Sequence, residues 1–498
     1  MKKATIAAGA VATVLVLALA VGYLTLRGDA DPAPASVPAI APLTPVEAAA
    51  QEALAAAHPG FLYGRVTTHD GATYEGRLRW GGGQEAFWGD YFNGAKEENP
   101  WAALVPVERL PKERRPLEIL GFEIAERERP IDLGRLFMAR FGDIARIEAR
   151  GEGSQATLAS GKALYPDVRV TLKSGTAVDL DRLSFGDFDD GVRVWDGRRG
   201  VVDLRPRQIR TIELLPTARL AAAPSRLHGT VRTREGDFTG FLQWNREECV
   251  GSDELDGRTG GGELVGLRYD TLRSIARSSR DSSRVTLVDG REIVLSNTRE
   301  AGQGNRGVYV DDPRYGRVLV SWDAFERVDF SPGSSGPAYG DFPTGRPLTG
   351  SVTTGAGRSL AGRLVYDLDE SETTETLDAP SRGVDYTIPF GLVASIVPGG
   401  REEGGTRRAA VTLHGGEELE LEATGDLGER NAGLLVFADG HERPEYVPWA
   451  DVERIDLDRP PAMVPPLGGR QISSVLGSRE RPLHNPRQRP GGRGAGAG

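Results

Sequence analysis

Cysteine is almost missing from this chain. Cys249 is the only one among 498 residues, which excludes an intramolecular disulfide framework and any thiolate-built zinc site. Histidine is nearly as scarce: His58, His69, His228, His414, His441 and His484 include no pair at the His-Glu-x-x-His spacing of a metal helix. There is no excess of positive charge. With 61 basic against 71 acidic side chains the net charge is −10, a poor basis for gripping phosphate backbones, whose binding rests on Lys and Arg releasing counterions. Lysine occurs only at positions 2, 3, 96, 112, 162 and 173. The many arginines, alongside abundant Ala, Gly and Asp, fit GC-rich coding better than anion recognition.

Catalytic and nucleotide signatures are missing too. No Gly-x-Ser-x-Gly elbow occurs, and Gly333-Ser334-Ser335-Gly336 sits in a spacer. Gly161-Lys162 lacks the rest of a phosphate-binding loop. Asp187-Phe188-Asp189-Asp190-Gly191 begins like a calcium loop, but Arg198 stands where the bidentate Glu belongs. Cys249 follows Glu247 and Glu248, whose charge raises a thiol pKa. Aligned with Ala86, it reads as a small strand residue. No cofactor is expected.

What is present begins with an uncharged stretch, Ala4–Leu26, preceded by Lys2 and Lys3. As a helix it would span about 34 Å at ~1.5 Å per residue, enough for a ~30 Å hydrocarbon core. Residues 1–27 are therefore expected to be a signal anchor with the bulk of the chain outside, or a cleaved signal peptide using Ala18-Leu19-Ala20. The protein is then inner-membrane anchored and faces the periplasm or cell exterior, or is secreted or periplasmic after cleavage. Residues 28–43 are a Pro/Ala-rich linker. Thr44-Pro45-Val46-Glu47 is a capping box that opens a short Ala-rich helix over 44–58. Residues 460–498, rich in Pro, Gly and Arg, are expected to be a disordered tail.

Between these ends the sequence repeats. Val170–Gly175, Val285–Gly290 and Val411–Gly416 align without a gap and share a downstream apolar pattern. Period-two apolar positions on both sides of a Gly-containing turn predict β-hairpins. A second kind of unit alternates with the first, starting at Gly64, Gly229 and Gly350 and running to Trp80, Trp244 and Tyr366. All six end on a strand, a single 3₁₀ turn and another strand, as in Val447-Pro448-Trp449-Ala450-Asp451-Val452. That ending resembles the last two strands of five-stranded Sm-like and Src-homology-type barrels, and Asn305-Arg306-Gly307-Val308 and Asn431-Ala432-Gly433-Leu434 resemble part of the first Sm motif. The second Sm motif is absent, so uridine binding is not carried over.

The fold expected is thus all-β, with six small five-stranded barrel-like units in three tandem pairs after an N-terminal membrane helix. The alternative is a six-bladed β-propeller. The units are 61–160 with an insertion at 95–134 and a strand at Leu117–Ile124, then 161–218, 226–282, 283–333, 346–402 and 407–459. Each is small enough to need its neighbours.

Recurring aromatics such as Trp80 and Trp244 read as core. Phe87, Trp88, Tyr91 and Phe92, with Trp101 nearby, have no aromatic counterparts in the other copies and form the candidate binding surface. The function expected is non-catalytic binding or scaffolding in a bacterial cell envelope, with a protein or envelope-component partner, membrane contact through residues 4–26 and no nucleic acid. Two alternatives are an enzyme with its site in the insertion, near Glu123, Glu126 or Asp132, and an Sm-like oligonucleotide binder.

Overall fold

The computed structural model describes residues 58–460 except 82, 89, 120–121, 131–132, 151–166, 182–186, 219, 221–224, 333–335, 404–405 and 442. The expected membrane segment, linker, Ala-rich helix and tail lie outside the described residues, apart from His58 and Pro460. Among the described residues no helix is long and apolar enough to cross a membrane.

The chain is all-β, its strands joined by loops and 3₁₀ turns. The first repeat pair comprises β1 (Tyr63–Thr68), β2 (Thr73–Trp80), β3 (Tyr91–Ala95), β4 (Lys112–Ile119), β5 (Phe122–Pro130), β6 (Leu136–Arg140), β7 (Ile144–Arg150), β8 (Asp167–Leu172), β9 (Ala177–Leu180), β10 (Val192–Asp196), β11 (Gly200–Leu204) and β12 (Ile209–Leu214). The second holds β13 (His228–Thr233), β14 (Gly236–Gln243), β15 (Glu254–Arg258), β16 (Leu264–Arg268), β17 (Leu272–Ser279), β18 (Ser282–Leu287), β19 (Glu292–Ser296), β20 (Val308–Asp312), β21 (Gly316–Val320) and β22 (Phe325–Phe330). The third holds β23 (Thr349–Thr354), β24 (Ser359–Val365), β25 (Thr376–Ser381), β26 (Val384–Pro389), β27 (Val393–Glu403), β28 (Thr406–Leu413), β29 (Glu418–Glu422), β30 (Leu434–Phe437), β31 (Glu445–Val447) and β32 (Val452–Leu457).

One strand order recurs in all three pairs. It runs β11-β10-β2-β1-β12-β7-β8-β9 in the first, β21-β20-β14-β13-β22-β17-β18-β19 in the second and β31-β30-β24-β23-β32-β27-β28-β29 in the third. Among the described residues the three large sheets have eight, twelve and eight strands, beside the two-stranded β3–β6 and β4–β5, not six separate four-stranded blades as a propeller would. Pairing also crosses the unit boundaries expected from the repeats: β2 pairs with β10 in register Leu78↔Val194, and β1 pairs with β12 in register Val66↔Ile212. Sequence periodicity identifies a strand, but its partner is set by register and by which face must be buried.

The alternation that predicted the strands also builds the cores. Val66, Leu78, Val194 and Ile212 are fully buried, and Val231, Val310, Val328, Val352, Val436 and Ile455 occupy the matching places. Trp322 stacks on Phe325, and Trp244 meets both rings edge-on, all within 5.3–6.3 Å. The second and third pairs share one continuous core, and the first has its own.

Two details differ from expectation. The insertion holds the antiparallel hairpin β4–β5 where one strand, Leu117–Ile124, was expected, because the chain reverses within that stretch. The Ser/Gly/Pro spacer also does more than connect. Its Tyr339 and Phe342 dock on the first pair's core, where a Cβ on Gly142 would lie 2.2 Å from the Phe342 ring.

Candidate functional site

The loop after the second strand of each pair is built the same way. Trp80, Trp244 and Tyr366 end a strand and bridge to Gln84, Glu248 and Glu370 across a tight turn. Asn245 and Arg246, and Asp367 and Leu368, hold that turn at positive φ, the left-handed conformation that tight hairpin turns use. A carboxylate then caps two consecutive backbone N–H groups in every copy. Asp90 accepts from Glu85 and Ala86 at 2.8 Å each, Asp253 from Cys249 and Val250 at 2.9 and 3.1 Å, and Glu375 from Ser371 and Glu372 at 2.6 and 3.0 Å. Cys249 therefore matches Glu85 and Ser371, not Ala86 as expected.

A second carboxylate recurs beside the first. Asp187, Glu300 and Asp426 each accept one strand N–H, from Asn93, Asp256 and Asp378 respectively, at 2.7–2.9 Å. The copies diverge here. In the first, the neighbours are amides: Gln84 and Asn93 donate to Asp187 at 3.2 and 2.9 Å. In the second and third, the same places hold Glu248 with Asp256 and Glu370 with Asp378. Acids facing an acid have nothing to donate unless they keep a proton. Burial, then the charge of Glu300, pushes Glu248 up to about 8. Burial, then Asp369 and Asp426, pushes Glu370 well above the carboxylate range, and burial carries Asp378 to about 6.

In the third copy these acids border a cavity of about 500 Å³, whose opposite wall comes from the first copy at Lys96 and Arg135. Lys96 Nζ lies 2.6 Å from Asp369 and 3.4 Å from Glu375, and Arg135 lies 3.1 Å from Asp367. These basic groups do not neutralise the whole set. Burial still lifts Asp367 to about 7 against the pull of Arg135. The arrangement clamps two copies together through buried ion pairs.

A larger cleft of about 960 Å³ lies where the insertion meets the third copy. Arg109 and Pro111 come from the insertion, while Arg407, Arg430, Tyr446 and Trp449 come from the third pair. Arg109 donates to the Tyr446 carbonyl at 3.2 Å and stands 5.1 Å from the Tyr446 ring centroid. Glu429 is the one acidic side chain in its lining, so the cleft is locally basic on a net-negative chain.

The predicted aromatic surface is corrected by burial. Phe87, Tyr91 and Phe92 are at most 1% exposed. Phe87 packs on Tyr339 at 5.0 Å and Phe92 on Trp80 at 5.3 Å, while Tyr91 lies under the Arg317 guanidinium at 4.6 Å. Trp88 is half-buried against Phe342 and Arg140. Trp101 is half-buried elsewhere, against Phe437 and Arg363 of the third copy. These rings lack counterparts because only the first copy receives Tyr339 and Phe342 and also packs its strand β3 loop on Arg317.

Cys249 is buried and its thiol donates to the Gly83 carbonyl at 3.0 Å; burial first, then Glu85 and Asp90, raises its pKa. Of the residues considered for catalysis, Glu123 and Glu126 are described through their backbone in β5, and Asp132 lies outside the described residues. Among the described residues no group of three His, Cys, Asp or Glu is placed to hold a metal ion.

The recurrent caps and acid pairs were missed by sequence reasoning. Their signal is an acid nine or ten residues after Trp80, Trp244 and Tyr366, visible once those three are aligned, but lost among 71 acidic residues. Comparison of the chain with protein-family models, with curated proteins and with solved structures finds no match.

Proposed function

We propose that this chain is a non-catalytic β-repeat protein of a bacterial cell envelope, exported or membrane-tethered through residues 4–26, that binds an anionic partner segment in the 960 Å³ cleft. The observation that carries this reading is the cleft's construction from two distant parts of the chain, a common setting for binding sites. Arg109, Arg407 and Arg430 supply donors, and Tyr446 and Trp449 supply flat apolar walls. Such a pairing suits a carboxylate-bearing extended segment.

The frame behind the cleft fits five-stranded barrel-like modules, nested rather than consecutive. In the second pair, β13 and β14 would close with β20, β21 and β22, while β15 to β19 form a module inserted between them. The strand orders β22-β13-β14-β20-β21 and β17-β18-β19-β15-β16 support this grouping. Nesting ties each marginal module to its host at both ends.

The test uses the full chain. Binding of a fluorescent polyglutamate peptide is read by anisotropy, alongside capture of partners from membranes. Arg109→Ala combined with Arg407→Ala should weaken peptide binding roughly tenfold and flatten its salt dependence, since fewer charges remain to be screened. Unchanged binding in the double variant, or recovery of the protein only in the cytosolic fraction, would end this reading.

A further inference from the structure

The second and third repeat pairs are joined by backbone. Strand β21, the outermost of its pair, continues antiparallel into β26, the fourth strand of the next pair, in register Arg317↔Thr387, Val318↔Tyr386, Leu319↔Asp385 and Val320↔Val384. One face of the junction is buried: Val318, Val320 and Val384 are fully buried and Tyr386 is 7% exposed. Gly316 lies so close to the incoming strand that a Cβ would sit 2.6 Å from Pro389.

Both halves of that junction recur elsewhere in the chain, the first in β11 and β31 and the second in β6 and β16. Strand β11 holds in the first pair the place that β21 holds in the second, and β16 holds in the second the place that β26 holds in the third. Both are terminal strands of their sheets, with no strand outside them among the described residues. Gly200 repeats the positive φ of Gly316, at +76° against +91°, but meets nothing within 4 Å where Gly316 meets Pro389. Gly262, the counterpart of Gly383, likewise faces open space. Val202 and Val265, which answer the buried Val318 and Tyr386, are only half-buried, and Val201 and Leu264 are 58% and 57% exposed.

We propose that β11 of one molecule pairs antiparallel with β16 of a second copy of this chain, in the register that β21 and β26 already use. By that register Val201 faces Gly266, Val202 faces Val265, Asp203 faces Leu264 and Leu204 faces Glu263. The contact completes two half-buried apolar positions and satisfies two rows of backbone donors and acceptors, the usual reward of adding a strand to an edge. It is heterologous, because the two surfaces differ. It therefore either closes reciprocally into a dimer or continues head to tail. This inference stands apart from the arginine cleft, which neither strand lines.

The experiment is a mixing test with full-length protein. One preparation carries Asp203→Cys, another Leu264→Cys, both at exposed sites. Cys249, at 2% exposure, does not compete. Oxidation of the mixture should give a cross-linked dimer, and oxidation of either preparation alone should not. In parallel, sedimentation velocity of the unmodified chain should show association that Val201→Lys with Leu264→Lys weakens roughly tenfold or more, lysine being the usual guard of exposed edges. Equal thermal stability of that variant keeps the reading tied to association rather than folding. A mixture that cross-links no better than its separate components, a chain that stays monomeric at every concentration, or association that the lysine variant leaves unchanged would each overturn the proposal.

Discussion

The third repeat pair meets its two neighbours in opposite ways. Toward the second pair it offers backbone: β26 extends the neighbouring sheet, and apolar side chains of both pairs merge into one core. Toward the first it offers side chains: Asp367, Asp369 and Glu375 hold Arg135 and Lys96, beside a small apolar cluster of Val105, Leu110, Leu368, Leu435 and Tyr446. Strand continuation needs only register and room. A buried ionic clamp needs every charge answered, since a charge left alone in the interior costs far more than the pair contributes.

The sharpest way to break this contrast is to remove the clamp's cation. Lys96→Met leaves Asp369 and Glu375 facing a methyl group and should lower the folding free energy by about 3 kcal/mol in urea unfolding at neutral pH. A loss under about 1 kcal/mol would mean that Asp369, whose burial favours the protonated form, already holds a proton.

The backbone junction is probed by glycine. Gly316→Val forces a side chain into the space taken by Pro389 and a β-branched residue into positive φ, and about 2–3 kcal/mol should be lost. Gly200→Val carries the same conformational strain at an open edge, so it should cost roughly half as much. Equal losses would remove the steric role assigned to the β21–β26 contact.

Acidity sharpens the comparison in a different direction. Asp378 is raised to about 6, Asp367 to about 7 and Glu248 to about 8, in each case chiefly by burial. An unfolded carboxyl releases its proton near pH 4, so between about pH 4 and 8 the folded chain binds more protons than the unfolded one. Its stability from these groups is then present at the acid end and is lost as pH rises through the folded values. Thermal midpoints should fall from pH 5.5 to pH 8, and Glu248→Gln should flatten that slope. A midpoint that climbs over this range would contradict the upward shift that burial gives these carboxyls.

The strands were legible in the sequence because alternation is a local property. Val170–Gly175 and its two counterparts mark hairpins that the structure contains. The partner of each strand was not legible: β2 and β10 are separated by more than a hundred residues, and nothing in either segment names the other. The aromatic group at Phe87–Phe92 shows the same limit. Its apolar character was plain, but the residues that bury it, Tyr339, Phe342 and Arg317, lie in another repeat and in a stretch whose composition reads as a spacer. Paired acids are harder still, because a Glu that keeps its proton is written with the same letter as one in solvent.

The smallest effect is expected at the junction that looks most like the clamp on paper. Arg382 of the third pair reaches Glu235 of the second at 3.1 Å, with side chains 49% and 26% exposed. Lys96 reaches Asp369 at 2.6 Å, with 10% and 5% exposed. Both join two repeat pairs through a cation set on an acid, but Lys96 is buried and also faces Glu375 at 3.4 Å, whereas the Arg382 pair is open to water. Water screens the first pair, so Arg382→Ala should change stability by less than about 0.5 kcal/mol. Adding salt should leave even that difference undetectable, because exposed charges are screened within a Debye length. If Arg382→Ala instead matched Lys96→Met, charge pairing rather than continuous strand pairing would be what holds the second and third pairs together.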